Sequence, residues 1–211
     1  MKIFLTGFIL ICFLNCKNQK SNLPENSETI SQNKEEKRIN SKFLSEEELK
    51  QFVISSPPIT IEEKLSAPFD TLEFNKVIAY EFDGVGGRKI IDSKGNYSNK
   101  IEVQKQINDK QLFEFTELIT NPKSYGKVTA ACFDPKMSLV FYENEVPRVT
   151  IDICLDCNYL ISSVPIPILE EAHNKVSELG ITYGFSEKGV DGIMKLAEEL
   201  DFKYKDYKPH F

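Results

Sequence analysis

Three of the five cysteines in this 211-residue chain, Cys132, Cys154 and Cys157, fall where the composition is that of a folded domain. A thiolate is at once a nucleophile, a metal ligand and one half of a disulfide, so three chemistries are open to such a set. The first is a structural disulfide plus one buried free cysteine, the expectation for an exported chain with an odd count. The second is thiol redox chemistry at Cys154-Leu155-Asp156-Cys157. There the motif ends a strand-like run, and no helix follows whose N-terminus would lower a thiol pKa. The third is a zinc-type site of three thiolates with Asp134, Asp156 or His173 as fourth ligand. Such sites usually carry two paired Cys-x-x-Cys motifs, and this chain has one.

The remaining chemistry-bearing residues are sparse. His173 falls on or beside the apolar face of a helical pattern, the setting of a packed histidine, and His210 lies next to the C-terminus. Nucleophilic hydrolysis needs a base beside its nucleophile, and neither histidine is so placed by the pattern. Asp134 and Asp156 fall at the foot of one predicted hairpin, a place for an acid–base pair. Gly84-Val85-Gly86-Gly87-Arg88 follows a strand, as phosphate loops do, but a hairpin turn is the better reading because turn residues and not a helix come next.

The element that positions the cysteines is a β-hairpin. Met137–Tyr142 and Arg148–Ile153 are short, β-branched or aromatic runs, separated by Glu143–Pro147. Register follows from gathering apolar side chains on one face. Leu139 opposite Ile151, Phe141 opposite Val149 and Met137 opposite Ile153 do so, leaving Ser138, Thr150, Asp152 and Tyr142 on the other face. Continued to the foot, that register sets Cys132 opposite Asn158, one residue from Cys157, unless Pro135 breaks the ladder first. Neighbouring strands satisfy the Cα separation of under about 7 Å that a disulfide needs. Cys132–Cys157 is therefore the expected disulfide, with Cys154 left over.

After Met1, Lys2 supplies a positive charge ahead of an apolar run, Ile3–Leu14, too short to span a bilayer as a mature helix. Its end, Phe13-Leu14-Asn15-Cys16, resembles the lipobox of bacterial lipoproteins, with Phe13 and Asn15 as departures. The resemblance implies a signal peptide over residues 1–16, lipidation of Cys16 by palmitate and related acyl chains, and a membrane anchor in the cell envelope. Residues 17–42 are polar, almost without apolar side chains, and read as a disordered tether reaching about 30 Å on average. Residues 43–211 are long enough for one domain with a real core. A net charge of −6, without a basic stripe, argues against a nucleic-acid partner.

Within that domain, Ser45 and Glu48 have capping-box spacing, with Leu44 and Leu49 as staple, for a helix to about Ile54. Thr60–Glu63 is expected to form another brief turn ended by Pro68. Val77–Asp83, Lys89–Asp92 and the run around Ile101 and Val103 read as a three-stranded meander. Asn108 and Gln111 cap a helix with Leu112, Phe115, Leu118 and Ile119 in register, ended by Asn121-Pro122. After Pro165 and Pro167 comes a helix with Leu169, Ala172, Val176 and Leu179 on one face. Another opens at Ser186 with Val190, Ile193, Met194, Ala197 and Leu200. The fold class is α+β: a mainly antiparallel sheet, meander plus hairpin, covered by helices mainly on one face.

The stretches Ala130-Ala131-Cys132-Phe133-Asp134-Pro135, Leu139-Val140-Phe141-Tyr142, Ile153–Ser163 and Tyr183-Gly184-Phe185-Ser186 resemble a group of bacterial envelope lipoproteins from Bacteroidetes-like organisms. The resemblance covers roughly the last two-fifths of the chain. Where a histidine is expected after the proline, this chain has Lys136 or Met137. The resemblance implies an envelope lipoprotein, at the outer membrane facing the periplasm, and no assigned reaction. Taken together, the sequence suggests a lipid-anchored binding or structural module without a catalytic constellation or cofactor. The alternative is a thiol-dependent redox or metal-binding protein using Cys132, Cys154 and Cys157, the metal being zinc.

Overall fold

The computed structural model describes residues 43–171 and 183–207. Its centre is an antiparallel sheet of five strands: β1 (Lys76–Phe82), β2 (Ile101–Gln106), β4 (Met137–Glu143), β5 (Val146–Cys154) and β6 (Tyr159–Ser162), in the order β2-β1-β4-β5-β6. A separate two-stranded ribbon pairs β3 (Tyr125–Val128) with β7 (Tyr183–Phe185). Among the described residues, no helix is long and apolar enough to cross a membrane.

The β4–β5 register is the one that gathers the apolar side chains: Met137 pairs with Ile153, Leu139 with Ile151 and Phe141 with Val149. Past Phe141 a bulge shifts the ladder, so Tyr142 meets Pro147 and the loop shortens to Asn144-Glu145, narrower than the sequence implied. Asn144 takes the left-handed conformation (φ 57°) that closes it, one of the few residue types that adopts it readily. The apolar face continues through Val77 and Ala79 of β1. It packs against α2 (Asp109–Thr120) and α3 (Glu187–Glu199), through Leu112, Phe115, Ile119, Val190, Ile193 and Ala197.

Three expectations are corrected. The middle strand of the meander is absent, and β1 pairs directly with β2. Ile90 gives its N–H to the Asp152 carboxylate at 3.2 Å instead of to a neighbouring strand, leaving only an isolated bridge between Ile91 and Tyr97. The turn expected at Thr60–Glu63 falls instead at residues 67–70, where Phe69 N–H reaches Ser66 C=O. The sheet is also covered on both faces. Ile78, Tyr80, Phe82, Val140 and Tyr142 form a second core against Leu49 and Val53 of α1 (Glu46–Ser55) and against Ile90. The polar members of that face are tied together: the Tyr142 hydroxyl bonds those of Tyr80 at 2.7 Å and Tyr97 at 2.8 Å.

The helix starts follow their caps. Ser45 with Glu48 and Asn108 with Gln111 form reciprocal capping boxes, and the Ser186 hydroxyl accepts the Gly189 N–H. The helix predicted after Pro165 and Pro167 is seen as helical residues 167–171; Ala172, His173, Val176 and Leu179 lie outside the described residues.

Candidate functional site

The three domain cysteines converge at the foot of the β4–β5 hairpin. β5 ends at Cys154, residues 155–158 turn, and β6 leaves at Tyr159, so Cys154 and Cys157 face each other across one tight turn. They form a disulfide with Cα atoms 5.2 Å apart. The expected pair was Cys132–Cys157, and the bonded pair differs from it by one partner. The paired ladder stops at Met137, so Cys132 is not held in register opposite Asn158. Its Sγ lies 2.8 Å from Cys157 Sγ. Cys154 and Cys157 are fully buried, whereas Cys132 is exposed.

Backbone N–H groups face two of these sulfurs. The Cys157 N–H donates to Cys154 Sγ at 3.1 Å, and the Asp134 N–H to Cys157 Sγ at 3.4 Å. A donor aimed at sulfur favours the thiolate over the thiol and so lowers the cost of that sulfur as a leaving group. The missing helix N-terminus thus has a local substitute made of two backbone amides.

Three supports hold this arrangement. The loop after β1 grips the Cys132 segment: Gly84 N–H bonds Pro135 C=O at 2.9 Å, and Gly86 N–H bonds Asp134 Oδ1 at 2.7 Å. Gly84 packs so closely that a Cβ there would lie 2.3 Å from Pro135 O. Behind the turn, the Tyr204 hydroxyl accepts the Leu155 N–H and donates to Ile153 C=O, each at 3.3 Å, while Tyr207 donates to Leu155 C=O at 2.9 Å. Burial raises the Tyr204 phenol pKa, so Tyr204 stays a neutral hydroxyl able to donate and accept.

The third support is Asn158, buried and left-handed (φ 63°) immediately after the second cysteine. Its amide donates to Val128 C=O and to Phe185 C=O, both at 3.1 Å, and so ties the β3–β7 ribbon to the sheet. Gly184 packs so tightly here that a Cβ would come 1.7 Å from Asn158 O. Tyr159 completes the mouth. Its hydroxyl donates to Cys132 C=O at 2.9 Å, and its ring packs 4.9 Å from that of Phe133. Burial first, and then the neighbouring Cys132, push its phenol pKa upward.

The other candidates separate. The Asp134 carboxylate is held by Gly86 and Asp156 is exposed, so the two serve different surroundings. His173 and His210 lie outside the described residues. Among the described residues, no group of three or more His, Cys, Asp or Glu is arranged to hold a metal ion; two of the three sulfurs are bonded to each other. The Gly84–Arg88 loop is a turn, with Gly86 and Gly87 at φ 80° and 76°. Sequence reasoning missed Asn158, Tyr159, Tyr204 and Tyr207 as parts of the site. The only local signal was an asparagine beside a cysteine in a turn; the tyrosines from residues 204 and 207 arrive through tertiary packing. No protein-family model, curated protein or solved structure matches this chain.

Proposed function

We propose that this chain is a lipid-anchored envelope protein that performs thiol–disulfide exchange, with Cys132 as the sulfur that meets the partner. The observation supporting this over a purely structural or binding module is the contact between an exposed thiol and a buried disulfide. Neither Cys154 nor Cys157 has surface that an outside thiol can reach, while Cys132 has both solvent and Cys157 beside it.

The exchange balances without a further reagent. Cys132 thiolate attacks Cys157 Sγ, the Cys154–Cys157 bond breaks, and Cys154 leaves as a thiolate facing the Cys157 N–H. The bridge is now Cys132–Cys157 and ends at the surface. A substrate dithiol then reduces that bridge. Its first thiolate attacks Cys132 Sγ and releases Cys157 thiolate toward the Asp134 N–H. Its second thiolate attacks the mixed disulfide and releases Cys132. The substrate leaves as a disulfide and the protein holds three thiols, two electrons having moved.

The test is disulfide mapping of the full chain, with Cys12 and Cys16 replaced by serine, after equilibration at pH 8 and acid quenching. Two isomers sharing Cys157, together with a mixed disulfide at Cys132 alone after treatment with an aromatic disulfide, are expected. A single, unchanging Cys154–Cys157 bridge would refute the relay. Anchoring is tested separately: labelled palmitate is expected on the wild-type chain in a bacterial host and absent from C16S, and equal labelling would overturn it.

A further inference from the structure

Resting on the exchange reading above, we infer that its substrate is a cysteine-bearing stretch of extended polypeptide that adds to β6 as a sixth strand. β6 is the last strand of the sheet. Ser163 N–H bonds Thr150 C=O, and the ladder alternates every second residue, so Tyr159 and Ile161 spend their backbone groups on β5. Leu160 and Ser162 therefore point their backbone groups the other way, while the Asn158 N–H stays inside the turn on Leu155 C=O. Asn158 C=O already accepts the Phe185 N–H at 3.0 Å, so another stretch of backbone docks at this end of the edge. Among the described residues, no hydrogen bond reaches the outward groups of Leu160 and Ser162. They form a template for added strand backbone.

A groove of about 750 Å³ runs along that edge. One wall is Val128–Ala131, the other runs through Val164, Ile166 and Leu169, and the first wall ends one residue from Cys132. Glu170 is the one charged side chain among its described lining residues. A small anionic thiol finds no countercharge here. An uncharged extended segment finds backbone partners and apolar walls, with the exposed Cys132 one residue beyond the end of one wall. That chemistry selects a protein cysteine over a small-molecule thiol.

The test uses the full chain carrying C12S and C16S, with Cys154–Cys157 oxidised. Two probes carry the same thionitrobenzoate leaving group: an end-blocked hexapeptide of alternating valine and threonine with one cysteine, and N-acetylcysteine amide. Cys132 thiolate attacks the probe's cysteine sulfur, the nitrobenzoate thiolate leaves, and its colour gives the rate. The hexapeptide is expected to react about tenfold faster or more, the scale set by two to three backbone bonds of modest net worth. N-methylation of alternate amides on one edge of the peptide is expected to abolish that advantage, and on the other edge to leave it. Equal rates for the two probes would overturn strand addition while leaving the exchange reading intact. No release from either probe would overturn both.

Discussion

Replacing Cys154 by serine removes one partner of the buried bridge and leaves Cys157 facing Cys132 alone. The two possible bridges differ in how much chain they close: Cys154 and Cys157 are 3 residues apart, Cys132 and Cys157 are 25 apart. Loop-closure entropy then constrains the unfolded chain by about 1.6 kcal/mol for the short bridge and about 3.5 kcal/mol for the long one. In guanidinium, where only this term acts, the short bridge of the wild-type chain is therefore favoured by roughly 20- to 30-fold. In the folded protein Cys132 is held 2.8 Å from Cys157, so the share of the long bridge is expected to rise well above its share in denaturant. The assay is equilibration at pH 8 with and without guanidinium, acid quenching, alkylation and peptide mapping. Unfolding curves run with and without reductant add a second reading. Oxidised C154S is expected to lose about 3 kcal/mol on reduction, and oxidised C132S about half that. Because each variant is compared with itself, the substitution cancels. Failure of C154S to form the Cys132–Cys157 bridge, or the same isomer ratio folded and unfolded, would refute the reasoning.

Asp152 provides a pH prediction. It is almost fully buried, and burial raises its carboxyl pKa against the opposing pull of the Ile90 N–H, Ser138 and Lys89. Its folded value thus lies above the unfolded value, so its contribution to stability is complete below about pH 4 and is lost as pH rises through the folded value. D152N keeps an acceptor for Ile90 and is expected to be more stable than wild type at pH 7 to 8, because it carries no carboxyl whose ionisation burial opposes. The gain should vanish in acid, as Tm measured across pH would show, and a loss at neutral pH would contradict it. Y142F strands the hydroxyls of Tyr80 and Tyr97, both of which bond Tyr142, and is expected to cost about 1–3 kcal/mol in denaturant unfolding. N158A removes the amide that ties Val128 and Phe185 to the sheet and is expected to cost about 2–4 kcal/mol. Faster hydrogen exchange at Ala130 and Phe185 should accompany it, since their N–H groups bond Cys157 C=O and Asn158 C=O.

What the sequence alone determined is local or periodic. Capping boxes at Ser45 and Asn108 are contained within four residues, so their geometry needs nothing from the rest of the chain. The β4–β5 register was legible because only one pairing gathers Met137, Leu139, Phe141, Val149, Ile151 and Ile153 on one face. The same register brought Cys132 into the neighbourhood of Cys157. It could not choose the bonded pair, because the ladder ends at Met137 and the path of the 128–135 segment is fixed by residues far along the chain. Gly84 and Gly86 grip Pro135 and Asp134, and the Asn158 amide holds Val128. The middle strand of the meander failed for a related reason. The pattern at Ile90 and Ile91 is strand-like, but the Ile90 N–H is claimed by Asp152, 62 residues later. Tyr204 and Tyr207 carry no periodic signal that points to Leu155, and only packing sets them behind the cysteine turn. Sequence spacing placed two sulfurs in one turn; tertiary packing set an exposed third against them, because that contact joins segments whose meeting depends on the whole sheet.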